Sequence, residues 1–151
     1  MKRDVLRTLD EGLLLGDGAM GTELEARGAL PPFERLNLER PSLVLDVHRA
    51  YLAAGSKLIR SNTFLARNAE EAGAGVRLAR EAAGTAAFVA GVLGPGTDQA
   101  AALAEAGCDL IILETFMDVE LLLRALRRAK LTGLPVVAQM AGLPDFVFEK
   151  P

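Results

Sequence analysis

An α/β fold built on a parallel sheet follows from three features of this sequence. Five short apolar runs recur along the chain, each separated from the next by a stretch with helical spacing. The runs are continuous rather than alternating, as expected of strands covered on both faces. They end on polar or turn-forming residues: Asp17, Asn62-Thr63, Pro95, Glu114-Thr115 and Gln139. Polar groups therefore gather at one end of the sheet, where doubly wound sheets and (β/α)8 barrels both place their ligand sites. Periodicity leaves these two architectures open.

Residues 2–10 carry Val5, Leu6 and Leu9 at helical spacing. Leu13 to Leu15 is the first predicted strand, and it stops at Gly16-Asp17-Gly18-Ala19-Met20-Gly21-Thr22. A carboxylate at the rim of a core is unfavourable unless solvated or paired, which makes Asp17 a candidate site residue. Its alternative role is to cap a helix starting near Thr22. Glu23 to Arg27 reads as a short helix ended by Gly28 and Pro31-Pro32, and a Pro-rich loop runs on through Glu34 to Arg40. Pro41 suits the first position of a helix to Ala54, with Leu43, Val44, Val47, Tyr51 and Leu52 on its apolar face and Gly55 closing it.

Lys57 to Phe64 is the second strand, followed by a helix from about Ala66 to Ala83 that Gly84 ends. Phe88 to Leu93 is the third, broken by Gly94-Pro95-Gly96, after which Thr97 is expected to cap an Ala-rich helix reaching Gly107. Leu110 to Leu113 is the fourth. Asp118 then caps a helix with Val119, Leu122, Leu123 and Leu126 inward, Arg124, Arg127, Arg128 and Lys130 outward, and its cations near the C-terminal end of the dipole. Val136 to Met140 is the fifth strand, and Ala141 to Pro151 has no clear assignment.

At 151 residues and 50% hydrophobic content, the chain has the size of one domain, residues 1–151. A net charge of −3 without a basic block argues against nucleic acid and anionic membrane surfaces as partners and favours a small molecule. No apolar stretch approaches the roughly 20 residues that span a bilayer, and no secretory leader is evident, so a cytoplasmic location is expected. The single cysteine, Cys108, excludes an internal disulfide and a multi-cysteine metal site within one chain, and reads as a small buried residue. His48, the only histidine, lies beside the apolar face of its helix and suits packing or surface rather than catalysis; Tyr51 and Phe64 read as core.

Gly16-Asp17-Gly18-Ala19-Met20-Gly21 spells G-x-G-x-x-G, which raises a dinucleotide-binding α/β fold as an alternative. That fold needs a second strand within about 30 residues and an acid about 20 residues on. Here a Pro-rich loop intervenes, and Asp17 would stand where a pyrophosphate approaches, so the match reads as accidental.

Taken together and in order, Gly16 to Thr22, Asn37-Leu38, Pro41-Ser42-Leu43-Val44, His48 to Gly55, Ser61-Asn62-Thr63-Phe64 and Glu114-Thr115-Phe116 resemble the homocysteine S-methyltransferase family, over about residues 11 to 140. The resemblance implies a partial (β/α)8 TIM barrel, with about five parallel strands and intervening helices forming its N-terminal part. It also implies a methyltransferase that converts homocysteine to methionine, with homocysteine as the small-molecule substrate over the strand ends. A thiol of pKa about 8.5 is mostly protonated at neutral pH, and zinc ligation supplies the thiolate that attacks an activated methyl group.

By resemblance, Asp17 and Glu114 receive the substrate ammonium, the Gly18-Ala19-Met20 turn meets its carboxylate, Asn62 and Thr63 line the pocket floor, and Thr115 also binds the substrate. The family's three zinc-binding cysteines lie later than this sequence runs, so no metal ligand and no catalytic residue is carried over. The parts that select folate, cobalamin, betaine or sulfonium donors are also expected elsewhere, which leaves the methyl donor unassigned. The Gly94 to Thr97 connection is shorter than the family's. A non-catalytic binding or assembly subunit that takes its metal from a partner chain is the alternative. Five units of an eight-unit barrel would leave unpaired sheet edges, so self-association is expected.

Overall fold

The computed structural model describes residues 4–142. Its elements in order are α1 (Val5–Glu11), α2 (Met20–Ala26), a 3-10 turn (Phe33–Arg35), α3 (Leu36–Glu39), α4 (Pro41–Ala53), β1 (Leu58–Arg60), α5 (Ala69–Ala83), β2 (Phe88–Leu93), α6 (Ala100–Glu105), β3 (Leu110–Phe116), α7 (Val119–Lys130) and β4 (Val136–Met140). The sheet has four strands in the order β1-β2-β3-β4, all parallel. Because this order never reverses, the sheet has no switch point of the kind a doubly wound nucleotide fold uses.

The first expected strand, Leu13 to Leu15, is reduced to a single bridge between Gly16 and Leu58. Its backbone still follows β1: Leu15 O accepts the Lys57 and Leu58 N–H groups at 2.8 and 3.0 Å, and the Asp17 N–H donates to Leu58 O at 3.0 Å. The ladder goes no further because β1 itself is only three residues long. The expected strand to Phe64 ends at Arg60 because the Thr63 hydroxyl takes over pairing with β2, donating to Val92 O at 2.8 Å and accepting the Val92 N–H at 3.1 Å. Nor is the first run buried on both faces: Leu13 and Leu15 are exposed.

Strand alternation divides the side chains. Ile59, Val89, Ile111 and Leu113 enter the main core with Val76 and Ala79 of α5, Leu103 of α6 and Leu122 of α7. Phe88, Ala90, Leu110 and Ile112 face the other way and pack with Val5 of α1, Leu14 and Leu58. Helices α5, α6 and α7 thus share one face. A second apolar cluster ties α2, α3, α4 and α5 together through Leu24, Leu36, Val44, Val47 and Leu78. Leu24, Val44 and Val47 are fully buried, which is worth roughly 2 kcal/mol apiece.

Capping chemistry sets several helix starts. Asp4, Asn68 and Asp118 accept N–H groups of Leu6, Glu71 and Leu121 at 3.0, 2.9 and 2.9 Å. Thr97 is not the cap of α6; Gln99 holds that position, and the Thr97 hydroxyl instead closes its own turn by donating to Gly94 O at 2.8 Å. The expected loop from Glu34 to Arg40 is the 3-10 turn followed by α3. Of the residues expected to face inward on α7, Leu122 is buried and Leu126 half-buried, whereas Val119 and Leu123 are exposed. Residues 143–151 of the unassigned tail lie outside the described residues.

Candidate functional site

The sheet face carrying Phe88, Ala90 and Ile112 turns polar at the C-terminal ends of its strands. Arg60 follows Leu58 by two residues and Glu114 follows Ile112 by two, so both reach this face. Asp17 arrives from the segment bridged to β1. Arg60 joins the two acids: its Nε donates to Asp17 Oδ1 at 2.9 Å and its Nη1 to Glu114 Oε2 at 3.0 Å. Its Nη2 donates to Gly18 O at 2.9 Å and Asp17 O at 3.3 Å, and its backbone N–H reaches Asp17 Oδ2 at 2.9 Å.

Burial is uneven across this group. The side chain of Asp17 is 2% exposed, that of Arg60 30% and that of Glu114 27%. Burial pushes the Asp17 carboxyl above the ordinary carboxylate value, against the opposing pull of its bonds to Arg60. Burial works against the guanidinium too, but Asp17 and Glu114 outweigh it and hold Arg60 charged. The three side chains sum to a single negative charge.

A β-bulge lies at Glu114 and Thr115. Leu113 pairs with Ala138 and Phe116 with Met140, so β3 spends one more residue than β4 over this step. Glu114 keeps the polar side by its parity with Ile112, and the extra residue returns Phe116 to the helix-side core with Leu113. Thr115 sits between them at φ 65°, a left-handed conformation unusual for a β-branched residue.

Gly18, Ala19, Met20, Arg60, Asn62, Thr63 and Glu114 line a common cavity of about 240 Å³, with Phe33, Glu34, Phe64 and Val92 completing much of its wall. Asp17 lies behind Arg60. Thr115 is exposed and outside the lining. Asn62 and Thr63 face the cavity, and Asn62 Nδ2 and Thr63 Oγ1 are already engaged. Asn62 Nδ2 donates to Phe33 O at 2.8 Å and Asn37 Oδ1 at 3.0 Å, while Asn37 Nδ2 returns bonds to Asn62 O at 2.7 Å and Glu71 O at 3.0 Å. Tyr51 is more than core filling, since its hydroxyl donates to Ala19 O at 3.1 Å and holds the glycine turn. Gly18 must lack a Cβ there, because one would fall 2.6 Å from the Tyr51 hydroxyl. Phe64, also expected in the core, is half-buried on the cavity wall.

The homocysteine S-methyltransferase family model matches residues 14–142. The chain belongs to the homocysteine S-methyltransferase family. Among individual relatives, methionine synthase from Mycobacterium leprae is 42% identical over 69 residues, covering 40% of this chain and 6% of that protein. Betaine–homocysteine S-methyltransferase 1 from Danio rerio is 30% identical over 179 aligned positions, 95% of this chain and 45% of that protein. The homocysteine methyltransferase MmuM from Escherichia coli superposes in its apo form with a TM-score of 0.70 at 28% identity, over 92% of this chain and 62% of that one. Its metallated form gives 0.73 at 25% identity, over 89% and 65%. The chain spans less than two thirds of the length of each of these relatives.

The zinc that the family resemblance implies does not fit the residues described. Among them no group of three His, Cys, Asp or Glu is placed to hold a metal ion. Cys108 precedes β3, at the opposite end of the strands from the cavity. It is buried, with its thiol pushed up to about 11 chiefly by that burial, and a Cβ on Gly91 would lie 3.2 Å from its sulfur. His48 is fully buried, with no hydrogen-bond partner for either ring nitrogen among the described residues. None of the described helices is long and apolar enough to cross a membrane. The glycine motif leads into a seven-residue helix with the next strand only at Leu58, and its acid is turned onto Arg60, which does not fit a dinucleotide site.

Sequence reasoning missed Arg60 and Asn37. For Arg60 the signal was present: it is the charge that closes an apolar strand, two residues beyond Leu58. For Asn37 the only signal was its place in the Asn37-Leu38 stretch, because its partners, Asn62 and Glu71, lie 25 and 34 positions away.

Proposed function

We propose that the described sheet is an arc of a (β/α)8 barrel, that the chain forms one domain, the N-terminal part of such a barrel, and that its rim binds homocysteine for transfer of a methyl group to the thiol. One observation carries this reading: Asp17 and Glu114, 97 positions apart in the chain, converge on one point at the strand ends, where barrel enzymes bind their substrates. The unreversed strand order and the one-sided layer of α5, α6 and α7 support the barrel. A cavity of about 240 Å³ falls below the roughly 300 Å³ at which drug-sized pockets begin, and suits a single amino acid.

In this reading Asp17 and Glu114 receive the substrate ammonium and the Gly18 to Met20 turn faces its carboxylate. Asn62 and Thr63 serve as a rigid floor, held through Asn62 Nδ2 and the Thr63 hydroxyl. Thr115, outside the cavity lining, takes no contact with substrate. In the transfer, the sulfur forms a bond to the methyl carbon as the bond from that carbon to the donor breaks, and the thiol proton must leave beforehand. The described residues contribute binding and orientation to this reaction. Isothermal titration with homocysteine tests the assignment: affinity falls in Asp17→Asn and Glu114→Gln, and unchanged affinity in both overturns it.

The second reading, a binding or assembly subunit completed by a partner chain, draws on the open sheet edges. Leu13 and Leu15 lie exposed along one edge, Val137 and Met140 along the other. Self-association through these edges gives a species larger than a monomer in size-exclusion chromatography, and a stable compact monomer removes this reading.

A further inference from the structure

Of the three helices layered on the main core, α6 is the shortest, with six residues against fifteen in α5 and twelve in α7. At about 1.5 Å per residue it spans about 9 Å, whereas the seven-residue β3 spans about 23 Å. A helix this short cannot cover the full length of the strands beneath it. Where Gly96 to Asp98 lead into it, a second cavity of about 410 Å³ opens between that turn and α7. Its volume lies within the roughly 300–1,000 Å³ of small-molecule sites, and it shares no lining residue with the cavity at the acid pair.

Arg124, Arg127 and Arg128 line this second cavity, with Leu121 and Phe116 as apolar wall. Spacings of three and four residues stack the three cations along one helix face, where like charges repel. One acid of the lining answers them, Asp98, which pairs with Arg128. Arg127 has no hydrogen-bond or ion-pair partner among the described residues, and Arg124 makes one long bond, from Nε to Glu120 O at 3.4 Å. Three cations against one carboxylate leave a surplus of two positive charges. The helix dipole favours Arg127 and Arg128 in the last turn of α7 but gives no reason for Arg124 near its middle.

We infer that this cavity is an anion site that takes the phosphate dianion of a small phosphorylated compound. A dianion matches the surplus charge, and each planar guanidinium can bond two phosphate oxygens at once. The cavity is larger than one phosphate group fills, and the exposed Leu121 offers apolar surface to the rest of the ligand. Phe116 belongs to the helix-side core, so the site lies on the opposite face of the sheet from Asp17, Arg60 and Glu114. It therefore stands or falls independently of the homocysteine reading.

Titration calorimetry on the intact chain at fixed ionic strength tests this with two probes, inorganic phosphate and phenyl phosphate. Both are expected to bind, phenyl phosphate more tightly; the reverse order supports the anion site with free phosphate as its occupant. Arg124→Gln and Arg127→Gln should each weaken phenyl phosphate about tenfold. Both side chains are exposed, so neither change disturbs the core. Lys130→Gln removes the same charge from the same helix outside the cavity lining and should change the affinity by less than about twofold. Equal losses in all three variants would reveal general attraction to a basic helix and overturn the site. So would wild-type affinity in both arginine variants, or binding of neither probe to the wild type at millimolar concentration.

Discussion

Arg60 and Asp17 are joined twice, once through the backbone N–H and once through Nε, each at 2.9 Å from a different oxygen of the same carboxylate. The backbone bond pins the end of β1 to the glycine turn, and the side-chain bond neutralises an acid that is almost wholly buried. One residue thereby does by side chain what a longer strand ladder would have done by backbone. The first strand segment, which contributes only a single bridge, is locked to the sheet through chemistry at its tip.

This double attachment sets an order of stability losses. Asp17→Asn leaves Arg60 without its main counter-ion and should destabilise the fold by about 2 kcal/mol, less than a fully buried pair because Arg60 partly meets solvent. Glu114→Gln breaks a more exposed bond and should change stability by less than about 1 kcal/mol. Urea unfolding followed by circular dichroism measures both. An equal or reversed order would mean that the pair does not anchor the turn.

Two glycines of α5 separate packing from helix propensity. A Cβ on Gly75 would lie 2.6 Å from Thr63 Cγ2, 2.7 Å from Asn37 Nδ2 and 2.9 Å from Asn62 O, so the helix could not keep its seat against the cavity floor. Gly75→Ala should destabilise by about 1–3 kcal/mol. A Cβ on Gly73 meets only the flexible end of Arg77, at 3.0 Å. Gly73→Ala should therefore be neutral or stabilising by up to about 1 kcal/mol. Thermal melts of the two variants should shift in opposite directions or, at the least, separate clearly.

The parts of this fold that could be read from the sequence are those decided locally. Phe88 to Leu93 and Val136 to Met140 are strands because their apolar runs lie between turn signals, and Asp118 caps α7 because a carboxylate there has free N–H groups to accept. The Leu13 to Leu15 run was as apolar as these, but its extent depends on how far β1 continues, and β1 stops where Thr63 substitutes a hydroxyl for a backbone rung. Asp17 and Glu114 were legible as candidates because acids at strand ends are costly without a purpose. That a guanidinium would stand between them depends on the parity of Arg60 in a strand of three residues, a contact across 54 positions.

His48 gives the fold a pH dependence with a definite sign. Burial lowers its pKa from 6.5 to about 4, so the folded state keeps the imidazole neutral while the unfolded chain protonates first as pH falls. Its contribution is complete above pH 6.5 and is lost between there and about 4, a decline of about 3 kcal/mol at 1.36 kcal/mol per unit. His48→Leu removes that titration. Unfolding free energies between pH 7 and 4.5 should fall more steeply for the wild type than for this variant, and parallel slopes would show that His48 is protonated without penalty in the fold.

Thr115 holds the left-handed conformation at the bulge beside Glu114, the acid bonded to Arg60. For a residue with a Cβ this conformation costs roughly 1–2 kcal/mol, and glycine escapes it while giving back about 0.5–1 kcal/mol through the greater freedom of its unfolded chain. Thr115→Gly should therefore raise stability by up to about 1 kcal/mol, since the exposed side chain gives up little packing. Thr115→Val keeps the β-branch and its strain and should leave stability within about 0.5 kcal/mol of wild type. A loss of stability in the glycine variant as large as the expected gain would mean that the threonine side chain itself holds the bulge.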